Sequence, residues 1–270
     1  MFKFRYIMAL LLFMASVSYA DVSDKSLDKL LSLSGLESQI NQFPDLIKVG
    51  LNEAKQKDHT TSADTAYKLM LKSAEESIVP STIIDGMKAS LKSSLNEEEV
   101  KKLLFWYESD LGKEITRAEE NAATSEAYQQ MIQSSPSLLQ NTQRIELANR
   151  FDTLSGSTDM TMRLQKYCSI AIYSATMTAV QPNVPLNLAE YEAQLDTKDA
   201  QTRAEIKQSV ILSFVYAHQN IEMAKLKKYE SFLNDSTTIK FNKIIFDSMN
   251  KELESSILKW ADSLAKLLTK

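Results

Sequence analysis

Glycine is scarce, at 5 of 270 residues, against a usual share near ~7%. Sheet proteins draw on glycine for hairpin turns and bulges, so the deficit points to helices joined by short connections. Cysteine is rarer still. Cys168 stands alone, no intrachain disulfide can form, and packing must hold the fold. Its neighbours Tyr167, Ser169 and Ile170 offer no cation that would favour a thiolate, so a buried, inert thiol is the better reading. The two histidines, His59 and His218, lie far apart with no cysteine or carboxylate at ligand spacing. A metal site of the His/Cys type is therefore not expected. His59 reads as a solvated loop residue and His218 as a hydrogen-bonded helix residue rather than a general base. No G-x-G-x-x-G, no Gly-rich phosphate loop and no G-x-S-x-G elbow occurs, so no nucleotide cofactor or serine nucleophile is indicated.

Long apolar runs are also lacking. The longest, Tyr6 to Ala15, covers ten residues, about half of a membrane span. With Lys3 and Arg5 before it and Ser18-Tyr19-Ala20 after it, residues 1–20 read as a cleaved signal peptide. No cysteine follows the cut for lipid attachment, so a soluble, periplasmic mature chain beginning near Asp21 is expected, without a transmembrane segment. Loss of Lys3 and Arg5 takes the formal charge from −4 to −6. An acidic chain is repelled by nucleic-acid phosphates and anionic headgroups, which argues against both as partners.

What the chain does have is helical periodicity. Leu27, Leu30, Leu31 and Leu33 form an i, i+3, i+4 stripe ending at Gly35, where positive φ costs glycine nothing. A helix with Tyr67, Met70, Leu71 and Ile78 stops near Pro80, and Ser81 is placed to cap the next. Asn96 and Glu99 resemble a capping box, followed by Val100, Leu103, Leu104, Tyr107 and Leu111 on one face, with Gly112 expected as a left-handed end cap. Pro136 suits the first turn of a further helix. From about Ala200 one long helix is expected through Leu233, then a last helix from Phe241 to Leu267. Trp106 and Trp260 read as core.

Two landmarks recur. Leu33-Ser34-Gly35 returns as Leu154-Ser155-Gly156, 121 residues on, and Tyr107-Glu108-Ser109 returns as Tyr229-Glu230-Ser231, 122 residues on. The shared period indicates two tandem, diverged helical-bundle repeats, 21–134 and 135–270, in an all-α chain. Gly35, Gly112, Gly156 and Asn234 are the expected turn residues. The candidate ligand or partner residues are Tyr107, Glu108, Ser109, Tyr229, Glu230 and Ser231. Each glutamate falls in the last turn of an expected helix, where the dipole disfavours an anion by about 0.3–1 kcal/mol. A structural salt bridge is the plainer explanation of that placement, and a polar binding site the sharper one. The runs Glu97-Glu98-Glu99 and Glu119-Glu120 read as helix-start charge and a solvated face, because neighbouring helical residues diverge by ~100°.

Asn96-Glu97-Glu98-Glu99-Val100 followed by Leu104-Phe105-Trp106-Tyr107-Glu108-Ser109-x-Leu111-Gly112-Lys113 resembles the signature of bacterial domain of unknown function 2059. The resemblance extends over about Leu27 to Arg117. It implies an exported, all-helical protein and brings no activity, cofactor or catalytic residue. The second half departs from it, with Lys228 for Trp106, Asn234 for Gly112 and Asp235 for Lys113. Three functions stay open. The first is a non-enzymatic protein-interaction module of the cell envelope. The others are a carrier or sensor binding a small apolar ligand between amphipathic helices and an enzyme using Glu108 and Tyr107 as acid and base. The sequence favours the first and assigns no catalytic residue, metal or cofactor.

Overall fold

The computed structural model describes residues 22–45, 47–48, 63–180, 184 and 187–268. The expected signal peptide 1–20, His59 with its polar connection, and most of the Pro182–Pro185 break lie outside them. The architecture is all-α, with no strand among the described residues. The first half carries α1 (Asp24–Leu33), α2 (Leu36–Asn41), α3 (Ala63–Ser77), α4 (Pro80–Ser94), α5 (Glu97–Glu108), α6 (Asp110–Ala122) and α7 (Ser125–Leu138). The second carries α8 (Thr142–Ser155), α9 (Ser157–Val180), α10 (Leu188–Asp196), α11 (Asp199–Ala217), α12 (Met223–Leu233) and α13 (Ser236–Leu268).

Local chemistry sets most helix starts. Asn96 Oδ1 accepts from the Glu99 amide at 2.9 Å, and Glu99 accepts from the Asn96 amide at 2.9 Å, a complete capping box at α5. Thr124, Asn141 and Asn187 cap α7, α8 and α10 in the same side-chain-to-amide manner. At α4 the cap is Val79 rather than Ser81. Pro80 takes the first helical position, where its missing N–H is no loss.

Three apolar clusters result. The largest joins Leu27, Leu30 and Leu31 of α1, Ile83, Met87 and Leu91 of α4, and Val100 and Leu103 of α5 with Phe241, Ile257 and Trp260 of α13. The C-terminal helix thus packs on α3, α4 and α9, and the core draws on both sides of position 134. Trp260 is buried and donates from Nε1 to the Met70 carbonyl at 3.2 Å. Burying such side chains supplies roughly 1.5–3 kcal/mol each. The second cluster packs Ile115, Leu147, Phe151, Ile221, Leu226, Tyr229 and Leu233; the third packs α7 on α8 and α11.

Several sequence expectations are corrected. Pro136 lies inside α7 rather than in the first turn of a further helix, and residue 134 is mid-helix. The ring removes an amide that would bond the Ile132 carbonyl, and Ser135 Oγ donates to that carbonyl instead, at 2.8 Å. The single helix expected over 200–233 is two, broken at His218–Glu222 between α11 and α12. Gly112 is no cap: it sits in the first turn of α6. Asn234 does end α12, but with φ −86° it is not left-handed.

The two Leu-Ser-Gly turns occupy matching places. Gly35 has φ 75° and Gly156 φ 70°, the positive-φ residues among those described. A later helix packs over each: Thr116 and Glu120 of α6 over Gly35, and Phe246 of α13 over Gly156. The helix ahead of each turn carries a cation that pairs with the repeated glutamate, Lys29 with Glu108 and Arg150 with Glu230. Lys29 precedes Leu33 by four residues and Arg150 precedes Leu154 by four. These pairs account for a glutamate placed twice in a helix's last turn.

Candidate functional site

The α5–α6 joint is one residue long. Ser109 ends α5 and caps α6 at once, with φ −66° and ψ 155°. Its Oγ donates to the Trp106 carbonyl at 2.6 Å and accepts from the Gly112 amide at 3.0 Å. Because the two helices meet so tightly, a Cβ at Gly112 would overlap the Trp106 carbonyl oxygen and lie 2.9 Å from its carbon. That close approach, not positive φ, is why glycine stands there.

The joint sends the side chains of 105–108 in different directions. Trp106 turns inward and stacks on Phe232, with ring centroids 4.4 Å apart and planes at 7°. Tyr107 meets the same Phe232 ring edge-on at 5.5 Å. Trp106 also stacks on Tyr229 at 6.1 Å, so aromatic residues in and beside the two Tyr-Glu-Ser segments contact one another. Phe105 turns outward and is 81% exposed. Glu108 is half-exposed and paired with Lys29.

Behind the aromatic stack lies a polar centre that the sequence hid. Glu119 of α6 accepts from the Tyr229 hydroxyl at 2.9 Å, and its Oε1 lies 3.2 Å from His218 Nε2. Arg144 of α8 closes the α11–α12 connection by donating to the carbonyls of His218 (2.6 Å) and Ile221 (2.8 Å). His218 is buried between Phe151 and Phe214, and its Nδ1 has no hydrogen-bond partner; nor has the buried Nε1 of Trp106. Burial, then the Glu119 charge, raise the Tyr107 phenol above its ordinary range. Tyr229 is raised by burial first, then by Glu119, Tyr107 and its own donated bond. Both phenols are held neutral, unlike an acid–base pair tuned toward neutrality.

Glu119 and His218 were read singly, as a solvated carboxylate and a helix histidine; the fold joins them across 99 residues. The only sequence signal was an apolar run ending in His218-Gln219-Asn220, which marks the α11 end.

Two open clefts border the repeated landmarks. One, of about 350 Å³, runs along α6 past Asp110, Lys113, Glu114 and Arg117. The other, of about 420 Å³, lies between α8 and α12 and is lined by Arg150, Thr153, Leu154, Glu230, Ser231 and Asn234. Glu108 and Tyr107 line neither, and the charge paired with Glu108 is that of Lys29. Ser109 and Ser231 are spent on local carbonyls, Ser231 donating to Lys227 at 3.0 Å. Cys168 is pushed up to about 11 by burial, an unreactive thiol. Among the described residues no helix is long and apolar enough to cross a membrane, and no group of three His, Cys, Asp or Glu could hold a metal ion.

No curated protein and no solved structure matches the chain. Residues 81–141, helices α4 to α7 with the capping box, Phe105 to Gly112 and Glu119, match the family model DUF2059, described as an uncharacterized protein conserved in bacteria.

Proposed function

We propose that the protein is exported to the periplasm and works there as a non-enzymatic module that binds another envelope protein through the outer face of α5. The carrying observation is Phe105. It is 81% exposed on a helix fixed at one end by the capping box and at the other by Ser109. Burying a phenylalanine is worth roughly 1.5–3 kcal/mol, so its exposure on a rigid surface leaves binding energy unused. Its ring belongs to none of the three apolar clusters, and the residue 122 positions on, Lys227 of α12, is an ordinary exposed residue. Phe105 also lies within the segment that matches the bacterial family. Export rests on the basic start, short apolar stretch and small-x-Ala site of residues 1–20.

The test is a photo-crosslinking amino acid at Lys101, one turn from Phe105, in cells expressing the full chain. A discrete adduct with an envelope protein is expected, together with a mature N-terminus near Asp21 by mass. The adduct should disappear in Phe105→Ser. Adducts only with abundant bystanders, or one indifferent to Phe105→Ser, would overturn the reading.

A further inference from the structure

Away from this face, α10 is attached in a way that no other helix of the second half is. It has no buried residue, and α9 is the helix it packs against. Two contacts set its register. Tyr191 stacks on Tyr173 with centroids 4.0 Å apart and planes at 5°, and Asp196 pairs with Lys166 at 2.9 Å. The numbering falls along α10 as it rises along α9, so the two run antiparallel. Leu188, Tyr191 and Leu195 share one face of α10 at i, i+3 and i+7, and each is half-buried. On α9 the matching stripe is Lys166, Ile170, Tyr173 and Met177, at i, i+4, i+7 and i+11. Ile170 is 9% exposed yet belongs to none of the three core clusters, as expected of a residue shielded by a peripheral helix. Beside it Ile172 remains 38% exposed.

We infer that α10 is a displaceable strap: it occupies in cis a helix-binding stripe on α9, which takes an amphipathic helix of the same Leu-Tyr-Leu-Asp spacing when α10 lifts away. A nine-residue helix is too short to persist alone in water, so leaving α9 and unfolding are one event for it. It is held by an exposed ion pair, a ring stack and half-buried leucines with no fully buried residue, the kind of contact that opens locally before a core does. The uncovered stripe would present an apolar row ending in a lysine, a groove that reads helix anchors by spacing. This surface is independent of Phe105, and its test needs no cellular partner.

The experiment uses the mature chain and a fluorescein-labelled synthetic peptide of residues 187–198 as probe. By hydrogen exchange, α10 amides of the wild type should exchange at least tenfold faster than those of α9 and α11. Tyr191→Ala and, separately, Asp196→Lys loosen the strap, and each should bind the peptide at least tenfold more tightly than wild type. A peptide carrying Ala in place of its Tyr should not bind. Equal protection of α10 and α9, or peptide affinity unchanged in both variants, would overturn the inference. Two variants are used because the first removes packing and the second reverses a surface charge, so both failing to fold is not expected.

Discussion

Replacing Gly112 with alanine puts a methyl group where the last turn of α5 crosses the first turn of α6. The new Cβ would overlap the Trp106 carbonyl oxygen, 2.9 Å from the carbonyl carbon and 3.0 Å from Tyr107 Cα. All three neighbours are backbone, and none can swing aside without opening the Ser109 joint. Forcing extra volume into a packed site costs about 1–3 kcal/mol, and immovable neighbours place this case near the upper end. Alanine in a helix regains at most ~1 kcal/mol over glycine. The net loss is about 2 kcal/mol. For a chain of this size one kcal/mol moves the melting point by about 2–4 °C, so a fall of roughly 4–8 °C is expected.

Gly86→Ala is the control. It too is a helical glycine with a crowded Cβ, 2.5 to 2.6 Å from the Glu252 carboxyl group and Cγ. Those atoms are the far end of a flexible side chain, which can rotate away, so the helix-propensity gain is kept. Circular dichroism melts should place Gly86→Ala within about 2 °C of wild type. If the two variants melted together, the claim that backbone approach dictates Gly112 would be wrong.

Other outcomes follow from the charged and phenolic groups. Glu108→Gln removes the Lys29 partner, and with side chains 53% and 43% exposed the pair is worth only about 0–1 kcal/mol; the small fall in melting point should shrink in high salt, and a salt-insensitive fall would refute a screened ion pair. At Glu99, burial raises the carboxyl, but the Lys240 and Asn96 hydrogen bonds together hold it below its ordinary 4.5. Asp235 is held below 3.8, chiefly by Lys102 and then by the Thr237 amide. Folded values below unfolded ones give stability that is present above those ordinary values and lost as pH falls through the folded ones, so Glu99→Gln should flatten the acid limb of stability against pH. Tyr229 is raised, so its contribution is intact below its ordinary 10.0 and lost as pH climbs past it. Tyr107 is raised in the same direction, so absorbance at 295 nm should show both phenols ionising only with unfolding, and Tyr229→Phe should reduce the amplitude of that coupled step without abolishing it.

What the sequence disclosed and what it hid divide by range. The capping box at Asn96 and the glycine turns at 35 and 156 are decided by residues three or four apart, and they were legible. The break at Ser109 is equally local, yet the apolar spacing from Val100 through Leu111 runs across it unbroken. Ser109-Asp110, a good cap followed by an acidic first position, was the available signal and was outweighed by periodicity. The Glu119, His218 and Tyr229 centre is different in kind. Its members sit on separate helices, and no local rule makes a half-exposed carboxylate choose a histidine and a phenol. Only the packing of α6 on α11 and α12 brings them together. The same packing gives the residues before the two Tyr-Glu-Ser segments different surroundings. Trp106 fills the space against Phe232 and Tyr229, while its counterpart Lys228 faces solvent. Phe105 belongs to none of the three apolar clusters and is 81% exposed, as the residue 122 positions on, Lys227, is exposed on α12. That exposed ring on a helix fixed at both ends is what carries the proposed docking of an envelope protein on α5.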